Sequence, residues 1–258
     1  MSSAAAANAN AATSLSNWLD NLALAGVLLV SWEMASLLLG RQVLPGPWAT
    51  LLKLLSIMSD ADFPQDLRAT SVAFAWGFVI ACVGGVGLGF LLGANRLAGD
   101  VMEPMLMAFY AVPKIALYPV VLLMFGLGLY AKVAFGVIHG IVPIAIFTMG
   151  AVRNMPLVYG RTARAYRLAP LAYARHVLLP AAAPEVVAGL RIGFSLTLLG
   201  TLIVEMFASQ NGIGHMLMSA MSRNDTEVIT ALATLLFVVA IAANMALLKW
   251  HRRLTGGG

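Results

Sequence analysis

This chain is built from apolar blocks long enough to cross a lipid bilayer, separated by short polar or proline-glycine breaks. A helix needs roughly 20 consecutive apolar residues to span the hydrocarbon core. Blocks of that kind run from about Trp18 to Leu39, Leu67 to Gly93, Pro104 to Phe125, Tyr130 to Val152, Val186 to Ala208 and Val228 to Trp250. Soluble domains carry about 25% charged residues, whereas this one carries 10%, and its mean hydropathy is +0.87. The expected fold is therefore an all-α polytopic membrane protein of about six transmembrane helices, with residues 18–253 forming one membrane domain. Residues 1–17, rich in Ala, Asn and Ser, and residues 254–258, ending in glycines, are expected to be disordered tails.

The breaks are specific. Leu44-Pro45-Gly46-Pro47 ends the first block, and the segment after it holds Asp60, Asp62, Pro64 and Asp66 and is too polar to span. Pro113 and Pro119 interrupt the third block. Proline removes a backbone donor and bends a helix, and a broken membrane helix survives where it faces protein or a water-filled cavity. The fourth and fifth blocks are separated by a basic, partly helical loop reaching to about Pro184, with its centre at 154–180. Arg153, Arg161, Arg164, Arg167, Arg175 and His176 crowd into it and its lead-in without an acid among them. Together with Arg96, Lys249, Arg252 and Arg253, these outnumber the cations on the opposite side (Arg41, Lys53, Arg68, Lys132, Arg223). The positive-inside rule then predicts cytoplasmic termini. The same clustering accounts for the net charge of +5 without nucleic acid as a partner.

Several chemistries are excluded or unsupported. Cys82 is the only cysteine, so no intramolecular disulfide and no cysteine metal cluster is possible. No GxxxxGK[ST], HExxH or GxSxG motif occurs, and GGVGLG at 84–89 follows no strand. His139, His176, His215 and His251 show no metal-ligand spacing. No catalytic residue, metal ligand or cofactor is expected on this chain.

The remaining candidates are few. Gly85, Gly89 and Gly93 fall on one helix face, where a second helix can approach closely. Lys114 and Glu205 are ionisable residues within or beside apolar blocks, where charge is costly and often lines a pathway. Lys114 could instead snorkel to an interface, and Glu205 could cap or pair structurally. Glu33 is expected to make an interhelical hydrogen bond. His139 is favoured as a satisfied interior histidine over a ligand. With Tyr118, Ser195, Thr197 and Thr201, the residues Lys114, His139 and Glu205 are the polar groups that could read a solute in a translocation path.

The basic loop resembles the coupling loop of binding-protein-dependent ABC importer permeases. That family's pattern is Glu-Ala-Ala, three residues, Gly, nine residues, Ile, one residue, Leu-Pro. Here the same spacing reads Arg161-Thr162-Ala163, three residues, Arg167, nine residues, Val177, one residue, Leu179-Pro180. Arg thus stands at the family's Glu and again at its Gly, where it must take another backbone route or strain. Pro113-Lys114-Ile115-Ala116-Leu117-Tyr118-Pro119, Phe125-Gly126-Leu127-Gly128, Gly150-Ala151-Val152-Arg153-Asn154, Pro184, Gly189-Leu190-Arg191, Glu205-Met206-Phe207 and Gly212-Ile213-Gly214 are similar to the nitrate/sulfonate/taurine-type subfamily. The likeness covers about residues 22–253.

The resemblance implies a type I importer fold in the bacterial inner membrane. It implies a second permease subunit, a homodimer being favoured over a heterodimer. It also implies two cytoplasmic ABC ATPases that carry ATP and Mg, and an extracytoplasmic solute-binding protein. Arg161, Thr162, Ala163, Arg164, Arg167, Leu168 and Ala169 would form the ATPase-coupling surface, and the cargo would be a small organic or inorganic anion. The rival classes are a secondary transporter or channel, and a scaffold that transports nothing.

Overall fold

The computed structural model describes Asp20 and residues 23–254. Of the expected tails, 1–17 and 254–258, residues 1–17 and 255–258 lie outside the described residues, while residue 254 closes the last helix. The described residues are almost wholly helical and contain no strand. The helices are α1 (Ala23–Leu39), α2 (Pro47–Met58), α3 (Phe63–Ala94), α4 (Arg96–Ala111), a 3-10 turn (Lys114–Leu117), α5 (Tyr118–Phe125), α6 (Leu129–Arg153), α7 (Leu157–Ala165), α8 (Pro170–Tyr173), a π turn (Ala174–Leu178), α9 (Leu179–Ala208), α10 (Ile213–Ser222) and α11 (Thr226–Leu254). Four stretches are long and apolar enough to cross a membrane: α3, α6, Ala174–Ala208 and Thr226–Arg253. A fifth is the bent pair Arg96–Ala111 and Lys114–Phe125. The described part of α1 is shorter, at roughly 1.5 Å per residue just under the bilayer core.

The contacts divide the chain into two compact units. One holds the described residues of Met1–Asp60 with Ala220–Leu235. Its polar side chains on α1 satisfy the turn that follows: Trp32 Nε1 donates to Pro45 O at 3.1 Å and Ser36 Oγ to Leu44 O at 2.7 Å. Glu33 pairs with Arg41 in that same turn at 3.4 Å, not with another helix, because it lies within two turns of the helix end. Pro47 starts α2, an apolar helix not foreseen from the sequence. In the same unit Asp225 caps α11, its Oδ1 accepting the Val228 N–H at 3.1 Å.

The other unit, Ala61–Ser219 with Leu236–Gly258, has α6 packed between α3 and α9. The lipid chain is as apolar as leucine, so helices in a bilayer associate by close fit and not by hydrophobic exclusion. Gly85, Gly89 and Gly93 of α3 lie directly against α6. A Cβ at Gly85 would come within 2.7 Å of Ile144 Cβ, and one at Gly93 within 2.7 Å of Val152 Cβ; one at Gly89 would overlap Thr148. Phe135, Ile144 and Met149 of α6 are buried there. The apolar side chains of α11, from Phe237 to Trp250, are largely exposed, as a lipid-facing helix requires.

Three expected boundaries change. The second span starts at Phe63, so Pro64 and Asp66, expected in the polar segment before it, are helical; Pro64 is tolerated in a first turn because the donor it lacks is unused there. The third block does not merely kink. It breaks at Val112-Pro113, and the axis turns by 86°. Val112 is held extended by the following proline, whereas Pro119 opens α5 and interrupts nothing. The fifth span does not wait until Val186. Helix runs from Pro170 through Ala208, placing Pro180 and Pro184 inside it. The π turn permits this: the Leu179 N–H reaches Ala174 O, and Pro180 follows with no donor to place.

Candidate coupling and translocation sites

The basic segment is a short helix closed by a left-handed turn. The Tyr166 N–H bonds Thr162 O at 3.0 Å, and the Leu168 N–H reaches back to Ala163 O at 3.0 Å. Arg167, between them, has φ 49°. This is the Schellman pattern, in which the residue after the helix cap is left-handed and is usually glycine. Of the two outcomes expected for arginine here, another backbone route or strain, the second is found. The chain keeps the left-handed route and carries its steric cost, roughly 1–2 kcal/mol. Ala163 faces inward, while Arg161, Thr162, Arg167, Leu168 and Ala169 are exposed. The Arg164 backbone lies in α7, but its side chain is outside the described residues. Tyr166, 77% exposed at the turn, was not singled out from the sequence. An aromatic at an exposed helix end was the available signal.

Arg153, counted among the acid-free cations, is not free. It bridges to Asp100 and, at 2.7 Å, to Glu103 on α4. The pairing ties the end of α6 to α4 just before the basic segment. Next to it a cavity of about 190 Å³ is lined by Asn154, Tyr159 and Glu185 among others.

Glu205 is fully buried and belongs to an ion-pair latch. Its Oε1 accepts from Lys132 Nζ of α6 at 3.1 Å. Its Oε2 accepts from Thr70 Oγ1 of α3 at 2.7 Å and from the Gly214 N–H at 3.0 Å. The Thr70 hydroxyl in turn accepts the Ile213 N–H at 2.8 Å, and Asp66 accepts the Gly212 N–H at 2.6 Å. Lys132 also donates to Asn211 O at 2.9 Å. The turn 211–214 is thus held by side chains from three helices. Gly212, with φ 118°, is the position that lets it fold back over the carboxylate, which any Cβ there would overlap. Glu205 takes the structural of its two sequence readings. Lys132 and Thr70 were missed as its partners, and Asp66 as a second anchor of the same turn.

Among the described residues no side-chain-to-side-chain hydrogen bond joins the other candidate path residues, though Tyr118 and His139 both pack on Phe135. His139 is buried in α6, and its Nδ1–H donates to Phe135 O at 2.9 Å. Thr201 donates to Thr197 O at 3.1 Å inside the helix packing. The Thr197 hydroxyl, equally buried, has no hydrogen-bond partner among the described residues. Ser195 is exposed on α9. Tyr118 stacks edge-on to Phe135 and Phe207. Lys114 sits at the break, 9% exposed. Its ammonium donates to Tyr110 O at 2.9 Å and lies 5.1 Å from the Tyr110 ring centre and 5.8 Å from that of Phe109. No carboxylate pairs with it among the described residues. Also among the described residues, no three His, Cys, Asp or Glu side chains could together hold a metal ion.

A cavity of about 850 Å³ opens between the first turns of α3, the Leu127–Leu129 turn and the end of α9.

The profile of the family described as "Binding-protein-dependent transport system inner membrane component" matches residues 85–255. The taurine transport system permease protein TauC of Escherichia coli is 28% identical over 90% of this chain and 86% of its own length. The bicarbonate transport system permease protein CmpB of Synechococcus elongatus is 30% identical over 79% and 78%. The nitrate import permease protein NrtB of Leptolyngbya laminosa is 34% identical over 67% and 63%. Among solved structures, a chain of the MetNI methionine ABC transporter in an inward-facing conformation superposes with a TM-score of 0.56. It covers 81% of this chain and 97% of its own, at 20% identity. That likeness shows a shared fold, the type I importer transmembrane domain.

Proposed function

Because the chain belongs to the family of binding-protein-dependent transport system inner membrane components, we propose that it is the homodimeric, anion-selective permease of its importer, with both termini cytoplasmic. Its general role is not in question. It is a multi-pass inner-membrane permease subunit of an ABC importer, working with ATPase and binding-protein partners, and it is not itself an enzyme. The finer reading concerns cargo, assembly and orientation. ATP and Mg belong to the two partner ATPases. Their closure would press on Arg161, Thr162, Ala163, Arg164, Arg167, Leu168 and Ala169, and the permease would answer by switching between inward- and outward-facing states. Such a lever works only through differential docking in the two states. Rivals without an ATPase leave the exposed, capped basic turn without a purpose.

The observation that carries anion selectivity is Lys114. It is a buried ammonium with no carboxylate partner among the described residues, placed at a break in a membrane helix. Charge at that depth is costly unless neutralised, and a passing anion would neutralise it. The taurine, sulfonate and nitrate relatives suit such a group.

The test uses the assembled importer in proteoliposomes with ATP and binding protein. Uptake of radiolabelled taurine, nitrate or a short alkanesulfonate is expected, and Lys114→Met should lower it by roughly tenfold or more. Uptake of a neutral or cationic solute alone would refute the anion reading.

A further inference from the structure

Gln65, Arg68, Ala69 and Val72 recur at helical spacing and form one wall of the 850 Å³ cavity. Asp66 and Thr70, on the neighbouring face of α3, turn instead to the 211–214 latch. The far wall holds Lys132, Gln210 and Asn211. Lys132 contributes little field, because Glu205 takes its charge at 3.1 Å. The Arg68 guanidinium makes no ion pair or hydrogen bond among the described residues. The cavity therefore presents one uncompensated cation facing amide side chains, with no acid on its lining.

We infer that this cavity is an oxyanion-binding vestibule in which Arg68 holds a single sulfonate-, nitrate- or carboxylate-type group. A guanidinium offers a planar fork that matches such oxygens two at a time. Low-dielectric walls focus its field on the opening. The Gln65 and Gln210 amides can serve as further donors, and the cavity's size leaves the bound group partly hydrated. The vestibule is separate from Lys114, which lies at the other end of the 3-10 turn and α5. It deepens the anion-selective reading and rests on it, since with termini inside this cavity opens on the side where cargo arrives.

The experiment is equilibrium binding of radiolabelled methanesulfonate to the purified permease–ATPase assembly. It is run without binding protein, in maltoside micelles free of added phosphate, at constant ionic strength. Wild type should bind, nitrate should compete, and uncharged dimethyl sulfone should not. Arg68→Gln should weaken binding at least about tenfold, with Arg68→Lys in between. Arg68 is exposed, so unchanged melting would show both variants to be folded. Absence of wild-type binding, or equal binding by Arg68→Gln, overturns the site. The same oxyanion chemistry is present in a phospholipid headgroup. Native mass spectrometry showing a lipid lost only in Arg68→Gln, with no methanesulfonate bound, would assign the cavity to lipid and overturn it too. Uptake that succeeds while binding fails sinks the vestibule alone. Binding that succeeds while no anion is taken up sinks the transport reading alone.

Discussion

Replacing Glu205 by Gln changes one oxygen to an amide and should still be among the more damaging substitutions in this chain. The carboxylate accepts from three donors: Lys132 Nζ at 3.1 Å, Thr70 Oγ1 at 2.7 Å and Gly214 N–H at 3.0 Å. A glutamine has one acceptor oxygen for both sides. Aimed at Thr70 and Gly214, it turns its NH2 on the Lys132 ammonium. Flipped, it turns the NH2 on two N–H and O–H donors. Thr70 can turn its hydroxyl and accept from that NH2 with its second lone pair, but the Gly214 N–H can only donate and would be left facing a donor. Removing one partner of a buried ion pair costs about 3–5 kcal/mol. Since the amide keeps some of the bonds, the loss should lie near 3 kcal/mol. At roughly 2–4 °C per kcal/mol for a chain of this order, melting should fall by about 6–12 °C. Lys132→Met should cost a similar amount, because it strands the carboxylate. The double variant removes both charges and lets the glutamine oxygen serve Thr70 and Gly214. It should therefore lose less than the sum of the singles by about 2–3 kcal/mol. The assay is thermal melting of the permease in maltoside, read by thiol-dye reaction of Cys82, the chain's only cysteine. A Glu205→Gln melt within about 1 °C of wild type, or strict additivity, would refute the latch.

Other substitutions separate the remaining claims. Gly89→Val should destabilise by about 1–3 kcal/mol or more, since its side chain would enter Thr148 and the Ala145 carbonyl, while Gly87→Val, with open space around it, should melt close to wild type. Arg167→Gly should raise the melting temperature slightly, by about 1 kcal/mol of relieved left-handed strain, and Arg167→Val should lower it and uncouple ATP hydrolysis from uptake. Arg153→Ala should cost about 1 kcal/mol or less, and the difference from wild type should shrink in high salt, because the pair with Asp100 and Glu103 is partly exposed. Gly160→Cys, at an open position on α7, should resist a membrane-impermeant thiol reagent in intact cells and react in inside-out vesicles; labelling in intact cells would reverse the proposed orientation.

The apolar blocks, the break before Pro113, the four-residue glycine spacing and the basic segment were all legible along the chain, because each depends on local chemistry. A missing proline donor, an absent Cβ and a run without charge act wherever the chain goes. The π turn that draws Pro180 and Pro184 into a helix was not legible, since prolines alone read as a stop.

What only the tertiary structure decided is which charges meet. Lys132 and Glu205 stand 73 residues apart, and Thr70 and Glu205 stand 135 apart. Nothing in either segment's own pattern states the rotation of its helix about its axis. A lysine counted among the cations opposite the basic loop became half of a buried pair, Arg153 left the free basic cluster for two acids on α4, and Arg68 was left alone in a cavity. Sequence periodicity defines the face a residue occupies on its own helix. Only packing at glycine-close distance settles what that face looks upon, and so whether a membrane charge is cancelled or kept for a ligand.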